Sequence, residues 1–196
     1  MPEKNSATAR YIKGGFILLK SQILASITSF VIYLVAFLFL TKNNSFGLAL
    51  YSICSMIATF LFIYSDAFKI AKDDLKASHN YEHYPLKGAV LEIVPALITT
   101  IIIVVWQLIY IPSFHALALQ NSMANIVFLI IQTVFVGFTF PFRGFMQMNQ
   151  NHISLISYFL IYLVPLLSSI GGYFAGTRDF YLYNKFIHPL IYKKKK

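Results

Sequence analysis

Few residues of this chain can do chemistry in an apolar setting, and the ones that stand out are Lys20, Asp66, Glu92, Arg143 and His152. Each lies at or just inside the end of a hydrophobic run. Ionisable groups so placed are rare and costly, which makes them markers of a working site by default. Glu92 is the sharpest of them. It falls about four residues inside the apolar run that begins near Gly88, hence ~6 Å below the edge of a bilayer core. A lone carboxylate is expensive there and is expected to be protonated or paired. A helix N-terminus would ease its charge through the dipole. The sharper expectation is a polar cluster between helices, in which Glu92 meets Lys20 or Arg143.

His79-Asn80-Tyr81-Glu82-His83 spells H-x-x-E-H, a spacing that sets two imidazoles on one helical face with a glutamate as base. Pro85 follows closely, so no long helix carries the motif onward, and no well-placed third ligand stands downstream. His79, Glu82 and His83 are therefore weak metal candidates, and the ordinary reading is an interfacial loop with Tyr81 and Tyr84 at headgroup level. Asp73-Asp74 with Asp66 lacks the spacing and the second acidic set of a metal-diphosphate site, and is read as balancing Lys69, Lys72 and Lys76. There is no G-x-S-x-G, no Walker loop and no dinucleotide fingerprint. No catalytic residue and no cofactor are assigned, and the chain reads more as a non-enzyme than as an intramembrane metal-dependent enzyme.

The elements that must carry these residues are set by hydropathy. The chain has 196 residues, is 58% hydrophobic and 12% charged, and has a mean hydropathy of +0.66. Soluble domains carry about 25% charge, so lipid is the expected solvent. The net charge of +9 sits in short groups beside apolar runs, which suits anionic lipid headgroups and not nucleic acid. Cys54 is the single cysteine, which excludes an intramolecular disulfide. The expected fold is an all-α, polytopic integral membrane helical bundle of about five transmembrane helices. A C-terminal amphipathic interfacial helix follows them.

In chain order, residues 1–13 form a polar tail, and spans are expected at about 16–41, 46–65, 88–111, 124–141 and 153–175. The first is too long and lacks a cleavage site for a signal peptide. Residues 66–87 form a polar loop, Pro95 and Pro165 interrupt spans, and 177–196 is a basic amphipathic segment. Phenylalanines cluster around Pro141, Arg143 and Gly144, as in an interfacial collar. Two stripes of small residues, Ser21/Ala25/Ser29 and Ser168/Gly172/Gly176, recur every fourth position and predict close helix contact.

Five crossings put the termini on opposite faces. With the N-terminus inside, nine basic residues face the cytoplasm and seven face away, a weak vote under the positive-inside rule. A fifth segment broken at Pro165 and returning through Gly171-Gly172 would bring both basic ends to one face. The composition is in the style of small bacterial multi-spanning proteins, so a multi-pass location in the plasma membrane is expected. The small-residue stripes favour a non-catalytic accessory or assembly subunit that packs with itself or with a larger membrane partner. The alternative is a small transporter or lipid-handling protein with a polar pocket around Glu92, Pro95 and Arg143.

Overall fold

Uninterrupted runs of apolar residues leave the backbone no water to bond with, so each satisfies its own N–H and C=O groups as a helix. The computed structural model describes residues 4–37, 45–75, 84, 86–109, 126, 139–142 and 155–178, and among them there is no strand. Four helices dominate: α1 (Lys4–Phe37), α2 (Ser45–Asp74), α3 (Lys87–Ile109) and α4 (Leu155–Thr177), with one 3-10 turn at Phe140–Phe142. All four are long and apolar enough to cross a membrane.

The segment 66–74 is not loop. It continues α2 without a break as far as Asp74, which places Asp66 inside a helix and not at its exit. Ala67, Ile70 and Ala71 continue the apolar stripe and pack into the core with Leu18, Ile63, Leu91 and Tyr173, so helical packing outweighs the polar residues between them. Pro95 and Pro165 both lie within continuous helices and are buried. The helix tolerates each because the carbonyl it releases is sheltered by neighbouring chain. For Pro95 that carbonyl belongs to Leu91, and it faces Gly15 of α1.

Each helix packs mainly against two others, in the cyclic order α1, α2, α4, α3. Directions follow from the pairings. Ser21 meets Asp66 while Tyr33 meets Tyr51, so α1 and α2 are antiparallel. Gly172 lies against Tyr64 and Ala67, and Gly176 against Phe68 and Ala71, so α2 and α4 run parallel. Gly88 lies against Ser169, and Thr100 against Tyr162, so α3 and α4 are antiparallel. The termini of α1 and α4 that carry the basic residues therefore share a face with the α2–α3 connection.

This corrects the expected path. Five successive crossings would send the last helix away from the N-terminal face, whereas α4 runs towards it. The end of α3 and the start of α4 therefore lie at the same end of the bundle, and between them the described Pro141-Phe142 is buried against α1, α2 and α4. Phe142 joins Ile103 and Ile161 in a core cluster. Nor is the last helix broken: α4 continues through Pro165 and Gly171-Gly172. Within the expected span 124–141, only Ile126 and residues 139–141 are described, and the C-terminal segment 179–196 lies outside the described residues.

Close approach of α2 and α4 depends on two glycines. A Cβ at Gly172 would strike the Tyr64 carbonyl, and one at Gly176 would come within 2.6 Å of the Ala71 Cβ. Ser168, Ser21, Ala25 and Ser29 are all fully buried. Both small-residue stripes are thus consumed inside this chain, letting helix backbones meet.

Candidate functional site

Four side chains from four helices close one end of the bundle. Lys87, the first residue of α3, places its Nζ 2.8 Å from Asp74 Oδ2 at the end of α2. Tyr173 of α4 donates its hydroxyl to the same oxygen at 2.8 Å. The Lys87 ammonium also lies 5.3 Å from the ring centroid of Tyr11 on α1 and 5.8 Å from that of Tyr173, within cation–π range. The pair is about nine-tenths buried, with side-chain exposures of 10% and 11%. Every charge here has company, so the arrangement is a clasp.

Deeper along the same helices lies a second polar group. On α1, Ser21 and Gln22 face inward at adjacent positions, about 100° apart around the helix. Ser21 Oγ donates to Asp66 Oδ2 at 2.6 Å, and Asp66 also holds Lys69 at 2.8 Å. Gln22 Nε2 donates to Glu92 Oε1 at 2.6 Å. Glu92 is 4% exposed, and its other oxygen, Oε2, is buried with no hydrogen-bond partner among the described residues.

Glu92 borders a half-open cleft between α3 and α4 with a volume of about 140 Å³. Its walls are Ala89, Ala96, Ile161 and Leu166, with the Tyr162 side chain at one side and Ile93 at the mouth. Ile93 is 52% exposed, so the mouth opens on the outer surface of the bundle. A smaller cavity of about 20 Å³ adjoins it, sharing Gln22, Thr99 and Ile161 and adding Thr59 and Phe142. One amide, Gln22, therefore links the two.

The expected cluster is only partly assembled among the described residues. Asp66 and Glu92 lie at neighbouring levels of α1, joined to it through Ser21 and Gln22. Lys20 is exposed and does not bond Glu92. The reason is angular: two positions from Gln22 is about 200° around the helix, so turning Gln22 inward turns Lys20 out. Arg143 and His152 lie outside the described residues, as do His79, Glu82 and His83. Asp74, which the sequence assigns to the lysines of its own segment, pairs with Lys87 at the start of α3.

Sequence reasoning missed Gln22, the Asp74–Lys87 pair and Tyr173. A signal existed for Gln22, which adjoins Ser21 of the small-residue stripe and so had to sit at the edge of a helix contact. No comparable signal existed for Tyr173, one of 13 tyrosines. No protein family, curated protein or solved structure matches the chain.

Proposed function

We propose that the protein is a small transporter or lipid-handling protein of the cell membrane, and that it works through the cleft at Glu92. One observation carries this reading: a nearly fully buried carboxyl keeps one oxygen unpaired beside a cavity that opens sideways between two apolar helices. A buried polar atom without a partner is costly, and a site that tolerates one has reserved it for something else. A bilayer amphiphile fits such an opening, since its tail stays in lipid while its polar end enters. The accessory-subunit reading rested on small-residue stripes as contact surfaces, and those stripes are already engaged within the chain.

The reading includes four crossings, an inserted segment around Pro141 and the N-terminal face towards the cytoplasm. Lys4, Arg10, Lys13 and Lys20 of α1, Lys69 and Lys72 of α2, Lys87 of α3 and Arg178 after α4 belong to that face, against Lys42 in the α1–α2 connection and Arg143 in the α3–α4 connection. That asymmetry is strong under the positive-inside rule, and anionic headgroups are the natural partner of the basic face. Topology reporters fused to the two ends are expected on the same side of the membrane. Reporters on opposite sides would remove this topology.

The functional reading is tested by native mass spectrometry of protein released from phosphatidylcholine-containing nanodiscs. Wild-type protein is expected to retain one amphiphile per chain. Ala96→Phe, which fills the cleft while leaving the Glu92 carboxyl in the chain, is expected to release it. Retention that ignores Ala96→Phe, or no retention by the wild type, would overturn the proposal.

A further inference from the structure

Resting on that reading, we infer that the cleft selects a primary ammonium group, as carried by an ethanolamine lipid headgroup or an alkylamine. The first ground is the unpartnered oxygen. Among the described residues Glu92 Oε2 has no donor, while Oε1 is occupied by the Gln22 amide, so an ionised Glu92 takes its second donor from the occupant. The second is charge. The cleft is lined by Gln22, Glu92 and Thr99 among apolar groups, with no lysine, arginine or histidine among the described lining residues. A cation supplied from outside would therefore meet one acidic group and no competitor among the described lining residues.

The third ground is size. About 140 Å³ is close to the cavity volume that holds a benzene-sized group. An aminoethyl arm, two carbons and a nitrogen, fits, whereas a bulky sugar or inositol headgroup does not. The fourth is access. With Ile93 half exposed at the mouth, the occupant arrives from the side, and Glu92 lies five residues past the start of α3 at Lys87. That is ~7.5 Å of helix rise, within reach of a headgroup arm bent inward from the interface.

The choice of a primary ammonium over a quaternary one follows from the same oxygen. An N–H donor satisfies Oε2 with a charge-assisted bond, and a trimethylammonium cannot. Such a bond is worth about a tenfold preference or more.

The experiment uses full-length protein in nanodiscs with equal parts phosphatidylethanolamine, phosphatidylcholine and phosphatidylglycerol, and native mass spectrometry of the retained lipid. The expected result is phosphatidylethanolamine enriched about tenfold over phosphatidylcholine, with Glu92→Gln reducing the ratio to near one while retention persists. A second arm adds octylamine or 1-octanol to protein in pure phosphatidylcholine discs. Retention of octylamine but not octanol supports the ammonium reading, and if octylamine is retained without ethanolamine-lipid enrichment, the amine is a free small molecule and not a headgroup. Equal retention of all lipids together with equal retention of the amine and the alcohol would overturn this inference while leaving the cleft as an amphiphile site. Enrichment that survives Glu92→Gln would overturn the role of the carboxyl. Should Glu92→Gln fail to yield folded protein, Ala96→Phe supplies the check, because it keeps the carboxyl and must still lose the enriched lipid.

Discussion

Two buried carboxyl groups in this bundle have been treated in opposite ways. Asp74 accepts from both Lys87 and Tyr173, and the lysine is flanked by two aromatic rings. Glu92 has one amide on one oxygen and, among the described residues, no hydrogen-bond partner on the other, and it borders a cavity. The first is closed and ties α1, α2, α3 and α4 together at one end. The second is left open between α3 and α4. Desolvating a charge is costly whether or not the charge is useful. Complete pairing therefore suits a structural group, whereas incomplete pairing beside a cavity is what the proposed ligand role of Glu92 calls for.

The comparison is broken most forcefully at the clasp. Lys87→Met leaves Asp74 buried without its cation and is expected to cost about 3–5 kcal/mol, read as a lower unfolding midpoint in detergent. Adding Asp74→Leu to the same chain should restore most of that loss, because an apolar pair of similar volume needs no charge partner. If the single change left stability untouched, the clasp would be an ornament of the surface.

Gln22→Ala comes next. It strips the hydrogen bond that the Gln22 amide gives Glu92 and enlarges the cleft, so a loss of about 1–3 kcal/mol is expected in the same assay. Tyr173→Phe is milder, since Asp74 keeps its lysine. About 1 kcal/mol should disappear, and a thermal melt in mild detergent resolves it. Glu92→Gln should move stability least, within about 1 kcal/mol in either direction, since the neutral amide keeps the shape and removes the cost of burying the acid. Its effect belongs to ligand retention. A large loss of stability on Glu92→Gln, matching that of Lys87→Met, would show the two carboxyls to be the same kind of group.

Parts of this outcome could be read from the chain. The long helices 4–37, 45–74, 87–109 and 155–177 follow the hydrophobic runs, with two corrections: α1 begins at Lys4, so the expected polar tail is helical and adds twelve residues ahead of position 16, and α2 adds nine residues beyond position 65. Glu92 stood out as an acid too deep to be idle. Its partner did not, because Lys20 and Gln22 lie two letters apart and only the rotation of α1 decides which one faces α3. Asp74 and Lys87 looked like ordinary loop charges for the same reason: their neighbours Asp73 and Leu86 are exposed, while they are not.

What the sequence determined by itself is the solvent and the local state: enough apolar residues in unbroken runs force helices that lipid can accept, since hydropathy is a sum over neighbours in the chain. Only the tertiary structure decided the direction of α4, the internal use of both small-residue stripes and the contrast between Asp74 and Glu92. Those depend on which helix faces meet, and that is settled by contacts between positions tens of residues apart, such as Gly172 on Tyr64 and Gly88 on Ser169. A one-residue change in rotation would exchange the buried and exposed groups without altering any local sum.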